Sequence, residues 1–177
     1  MTIELFRNDS YLKDHNTIIS EIVPEGLVLN ETIFYPEGGG QPGDEGSITI
    51  DNQTINIIGT RYIDNKLVHL VENIDGLNKN EEVKLNLNWF KRYSHMKVHT
   101  SLHLLCSIIP FPVTGGSIGD GRGRLDFDLD NPNKIPVTIF NPVAGTGVKF
   151  TDMTNTGRLT NIFLRYKKLG SVDWKYA

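Results

Sequence analysis

Apolar and polar residues alternate along the first half of the chain with a period near two, which predicts short β-strands. Val83, Leu85, Leu87 and Trp89 alternate with Lys84, Asn86 and Asn88, as a strand buried on one face requires. Strands are likewise expected at residues 2–6, 26–29 and 32–35. Residues 46–50 and 54–58 flank Asp51-Asn52, and residues 59–62 and 66–71 flank Asp64-Asn65. Both pairs favour two-residue hairpin turns. Many short strands separated by turns point to a small barrel or sandwich.

At Phe90 the period changes. Residues 91–109 contain no glycine or proline, and Val98, Leu102, Leu105, Cys106 and Ile109 fall on one arc of a helix at about 100° per residue. Pro110 and Pro112 end that helix. Residues 113–123 read as a glycine-rich turn and 124–128 as a strand. The stretch 130–156, rich in Asn, Pro, Gly and Thr, reads as a loop with one strand around 137–140. Ile162, Leu164 and Tyr166 alternate, Gly170 turns, and Val172, Trp174 and Tyr176 alternate again, a terminal hairpin. The pattern thus divides the chain into a β-barrel domain, 1–90, and a second domain, 91–177.

Composition narrows the function classes. With 177 residues and a 38% apolar share, the chain suits one domain or two small ones with a real core. A net charge of −3 excludes a uniformly basic nucleic-acid coat, so any RNA contact has to be a local patch. Residues 1–50 hold nine acids and two bases, whereas 158–177 hold five bases and one acid. That basic end could meet phosphates, or be an ordinary solvated strand face. A single cysteine excludes an internal disulfide and an all-cysteine metal site. The start, Met1-Thr-Ile-Glu-Leu-Phe6, lacks the basic and apolar regions of a secretory signal. No apolar run approaches the roughly 20 residues that span a bilayer. A cytoplasmic location without a membrane partner is expected.

Three segments could carry chemistry. In His99-Thr-Ser-Leu-His103 two histidines one turn apart project from one side of a helix, close enough to share a metal ion. Neutral imidazoles would supply two of the four ligands zinc prefers. The competing reading is two histidines that border a core face and bond to backbone or water. His95 lies one turn earlier, but the helix rises about 12 Å from 95 to 103, so His95 is expected at the surface or facing a phosphate. In Phe34-Tyr-Pro-Glu-Gly-Gly-Gly-Gln-Pro-Gly43, Gly38, Gly39 and Gly40 would let the backbone approach a ligand, and Gln41 offers both a donor and an acceptor. A tight barrel turn explains the same run. In Val113-Thr-Gly-Gly-Ser-Ile-Gly119, backbone amides could hold a carboxylate or ester oxygen, or simply turn the chain. Asp120, Asp126 and Asp128, interleaved with Arg122 and Arg124, look like internal charge pairs. No nucleophile-elbow serine and no P-loop is present.

Together and in this order, these segments resemble the free-standing alanyl-tRNA editing proteins, relatives of the editing domain of alanyl-tRNA synthetase. The matching stretches are 29–46, 95–106, 113–119 and 123–128, with F-Y-P-x-G-G-G-Q and H-T-x-x-H-L-L as the specific motifs. The resemblance implies an α+β chain: a small N-terminal β-barrel, then a shortened editing domain of the threonyl/alanyl-tRNA synthetase type. It implies hydrolysis of the ester that joins serine or glycine to alanine tRNA, with that mischarged tRNA as partner. It implies zinc held by His99 and His103 and by a later Cys-x-x-x-His. Gln41, Thr100 and Ser117 would then be catalytic or pocket residues, and Gly38, Gly39, Gly40, Gly115 and Gly116 would contact substrate. The later pair is absent: Cys106 lies inside the helix and no histidine follows His103. Matching Asn155-Thr-Gly157 to the family's Asn-Thr-Gly puts Val148 and Asp152 at the two positions, of which only Asp can bind zinc. The alternative is a metal-poor relative that binds the tRNA acceptor end without hydrolysis, and metal analysis separates the two.

Overall fold

Alternation in the sequence becomes a closed antiparallel barrel. The computed structural model describes residues 1–51, 53–109, 111–127, 146–151, 161–166 and 175–176. It divides into two units, 1–38 with 42–92, and 39–41 with 93–177. The first unit contains β1 (Ile3–Glu4), β2 (Asp14–Val23), β3 (Gly26–Leu29), β4 (Glu31–Thr32), β5 (Gly46–Ile50), β6 (Gln53–Ile63), β7 (Lys66–Val71) and β8 (Glu82–Leu87). The barrel order is β2-β3-β7-β6-β5-β8, while β1 and β4 pair in parallel. Its interior is filled by Ile19, Leu27, Leu29, Phe34, Ile48, Ile57, Val83 and Leu85, all buried. Each such side chain contributes roughly 1.5–3 kcal/mol by leaving water.

The hairpin signal at Asp64-Asn65 holds: both residues have positive φ, 48° and 63°, as a primed turn demands. Elsewhere the strands differ from expectation. Residues 54–58 and 59–62 form one strand, β6, because a bulge between Ile57 and Gly59 absorbs the break in alternation. No strand is expected at 14–23, yet β2 is ten residues long. Its register shifts between Ile19 and Glu21, which moves the apolar residues to the other face and hides the period. Of residues 2–6 only Ile3–Glu4 is strand; Leu5–Arg7 is a 3-10 turn that buries Phe6 edge-on to Tyr35 at 5.5 Å. Likewise the strand expected at 32–35 stops at Thr32.

Helix α1 (Trp89–Ile108) starts with its first residues in the first unit and continues in the second. Asn88 caps it, its Oδ1 accepting the Lys91 N–H at 3.2 Å. In the second unit Val98, Leu102, Leu105 and Ile109 form the expected arc and pack on Ile118, Leu125 and Phe127. Those three come from β9 (Val113–Gly119) and β10 (Arg122–Phe127), an antiparallel hairpin. Gly123 sits against the helix, where a Cβ would stand 2.7 Å from Val98 Cγ1. The reading of 113–123 as a turn is corrected to a hairpin, in which a Cβ at Gly115 would stand 2.8 Å from Asp126 Oδ2 and one at Gly116 3.1 Å from Arg124 O, so these glycines serve close strand packing. A second sheet joins β11 (Thr146–Thr151), β12 (Asn161–Tyr166) and β13 (Lys175–Tyr176). Strand β11 falls in the stretch expected to be loop. Pairing of Arg165 with Tyr176 and Tyr166 with Lys175 agrees with a terminal hairpin. The strand expected at 137–140, Asp128, Asp152 and the turn around Gly170 lie outside the described residues. The chain is α+β with an N-terminal barrel. Among the described residues no helix is long and apolar enough to cross a membrane.

Candidate active site

Helical spacing brings His99 and His103 together. Their Nε2 atoms are 3.0 Å apart, and the rings stack with centroids 4.8 Å apart and planes 17° from parallel. Behind His99, the Oε1 of Gln41 lies 3.1 Å from Nδ1. A carbonyl oxygen only accepts, so Nδ1 donates and the neutral ring keeps a lone pair on Nε2. Partial withdrawal of the His99 ring from water, and then His103 beside it, hold its pKa below the ordinary value. Both effects favour the neutral ring that a metal needs.

Gln41 is buried at 6% exposure. Residues 39–41 fold with the second unit, because the Ile118 N–H donates to the Gly40 carbonyl at 2.7 Å. Gly40 has φ +80°, and a Cβ there would stand 2.5 Å from the Gly116 carbonyl oxygen. Only glycine allows the approach.

A cavity of about 490 Å³ opens beside the histidines. His99, His103, Gly39, Gly115, Gly116 and Ser117 line it together, with Leu102, Cys106 and Leu125 among its apolar lining. Four of the expected site residues, Gly38, Gly40, Gln41 and Thr100, are not among its lining. Thr100 is exposed on the helix and Gly38 belongs to the first unit. His95 is not a surface residue, as its place on the helix suggested. It is 1% exposed, and its Nε2 lies 3.3 Å from Asp120 Oδ1 at the β9–β10 turn. Asp126 pairs with Arg124 at 3.2 Å, as an internal charge pair should. Cys106, expected in the core, also reaches the cavity; its i+3 spacing from His103 was the available signal. A larger cavity of about 790 Å³ lies in the first unit, lined by Asn16, Asn30, Glu31, Glu82 and Lys84 among others. It holds none of the expected site residues.

The pair fits two ligands of a metal ion. Two nitrogens at about 2 Å from a shared tetrahedral ion stand about 3.3 Å apart, close to the separation found here. An acceptor on the far ring nitrogen is the usual support of a histidine ligand. Among the described residues no group of three His, Cys, Asp or Glu stands ready for a metal. Val148 lies in β11, and valine offers no donor.

A family model described as tRNA synthetases class II (A) matches residues 3–91. The chain is 32% identical over 140 residues to the alanyl-tRNA editing protein AlaX-M of Methanosarcina barkeri, covering 73% of this chain and 58% of that protein. It is 32% identical over 164 residues to AlaX-M of Pyrococcus horikoshii, covering 83% and 72%. It is 33% identical over 104 residues to the alanine–tRNA ligase of Metallosphaera sedula, covering 59% of this chain and 12% of the ligase. The chain thus spans little more than half the length of the M. barkeri relative.

Proposed function

The chain belongs to the free-standing alanyl-tRNA editing family, and we propose that it hydrolyses the ester of mischarged alanine tRNA and releases serine or glycine. The observation that carries this reading is the histidine pair on the cavity wall, Nε2 to Nε2 at 3.0 Å. The names of the relatives support a tRNA partner, and with it a cytoplasmic place of work.

The reaction adds water across the bond between the amino-acid carbonyl carbon and the ribose oxygen of the terminal nucleotide. That bond breaks, the ribose oxygen takes a proton, and the free amino acid leaves. His99 and His103 would hold a zinc ion, which when bound supplies a polarised carbonyl or a water of lowered pKa. Gly39, Gly115 and Gly116 leave a wall without side chains, so the ester can lie close to the backbone. The Ser117 hydroxyl on the same wall can accept from the amino group or donate to the ester. Leu102 and Leu125 give the cavity an apolar side.

The test is incubation of the full chain with Ser-tRNA(Ala), Gly-tRNA(Ala) and Ala-tRNA(Ala). Release of serine or glycine, with alanine left in place, supports the reading. Retention of the charged tRNA without release favours the metal-poor binding protein instead.

A further inference from the structure

We infer that Gln41 is a positioning residue: its side-chain carbonyl sets the tautomer of His99 and keeps that ring's Nε2 free, opposite Nε2 of His103. The inference rests on the proposal that the pair holds a metal ion, and it gives Gln41 a positioning role beside the catalytic or pocket role that the resemblance implies.

Three observations carry it. Gln41 Oε1 is 3.1 Å from His99 Nδ1, and the neutral ring has one proton to place. With that proton on Nδ1, Nε2 presents a lone pair to its neighbour 3.0 Å away. Next, Gln41 is 6% exposed whereas His99 is open to solvent, so the acceptor is set before any ligand arrives. Finally, the backbone under Gln41 is pinned. The Ile118 N–H donates to Gly40 O at 2.7 Å, and Gly40 lies too close to Gly116 for any side chain. Residues 39–41 thus act as a short clip on β9 whose last side chain steers the helix histidine. Without an acceptor at Nδ1 the proton is free to move to Nε2. There it would point at His103 and compete with metal binding. Removing such a supporting hydrogen bond typically weakens metal affinity about 10–100-fold.

The experiment uses the full metal-free chain, 15N-labelled, at a pH where His99 is neutral. Long-range 1H–15N correlation reads the tautomer in wild type, Gln41→Leu and Gln41→Glu. Zinc titration against a chelating dye reads affinity in the same samples. Wild type is expected to carry the proton on Nδ1. Gln41→Leu should shift it to Nε2 and weaken zinc binding about 10–100-fold. Gln41→Glu, which keeps an acceptor, should restore both. An unchanged tautomer in Gln41→Leu, or an unchanged zinc affinity once the tautomer has shifted, overturns the inference. If Gln41→Leu does not fold, Gln41→Glu decides: a proton on Nε2 there also overturns it. A wild-type chain that binds no zinc defeats the metal proposal alone, since the tautomer measurement still judges Gln41.

Discussion

Arg92 Nε donates to Asp44 Oδ2 at 2.8 Å, and each residue is only 3% exposed. The rest of the guanidinium is also engaged, Nη1 with Ser10 O at 3.0 Å and Nη2 with Ile33 O at 2.7 Å. Asp44 in turn accepts the Tyr35 N–H at 2.6 Å and returns its own N–H to Tyr35 O at 2.9 Å. One buried cation thereby ties the first turn of α1 to the chain that leads into the glycine segment. Removing one partner strands a buried charge, which costs about 3–5 kcal/mol. Asp44→Ala should therefore lower unfolding free energy by that amount in guanidinium titration. The double variant Asp44→Leu with Arg92→Met should lose less than Asp44→Ala alone, because no charge is left unpaired.

His69 carries a pH dependence in the barrel. It is fully buried, 2.7 Å from Thr32 Oγ1 and 3.2 Å from Leu27 O, and burial pushes its pKa from 6.5 down to about 4. The folded chain thus holds the ring neutral. Above pH 6.5 both states are neutral and the full stability is present. As pH falls from 6.5 toward 4 the unfolded chain takes a proton that the folded chain refuses, so stability drops, by about 3 kcal/mol over the whole window. Urea midpoints at pH 7 and pH 5 should differ in wild type, and the difference should shrink in His69→Gln.

Gly40 and Gly39 should respond differently to a methyl group. Both have positive φ, +80° and +58°, where an L side chain is strained by roughly 1–2 kcal/mol. At Gly40 the new Cβ also meets Gly116 O at 2.5 Å, whereas at Gly39 it meets nothing within 4 Å. Gly40→Ala should displace Gln41 and lower both thermal midpoint and deacylation rate. Gly39→Ala should fall between it and wild type in both.

How much of this was legible beforehand depended on whether one physical cause acted at a time. The arc Val98, Leu102, Leu105 and Ile109 was readable because burial alone sets it, and Asp64-Asn65 because turn geometry alone sets it. Strand β2 was not, since its bulge near Ile19 breaks the alternation that reveals a strand. The glycines of β9 read as a turn, because nothing local tells flexibility apart from close packing. That difference is made by Gly40, Asp126 and Arg124, the nearest of them several residues away. His95 looked like its neighbours on the helix, and its partner Asp120, 25 residues later, is brought to it only by the hairpin. In the site, the i,i+4 spacing announced His99 and His103. The bond from Gln41, 58 residues earlier in sequence, could not be read from spacing.

The central claim is that the pair His99 and His103 performs the hydrolysis. The most direct measurement is the rate of serine release from Ser-tRNA(Ala) by wild type, His99→Ala and His103→Ala, with folding of each verified by circular dichroism. Wild type should release serine, and both variants should fall to the uncatalysed background. Wild-type rates in both folded variants would contradict the account.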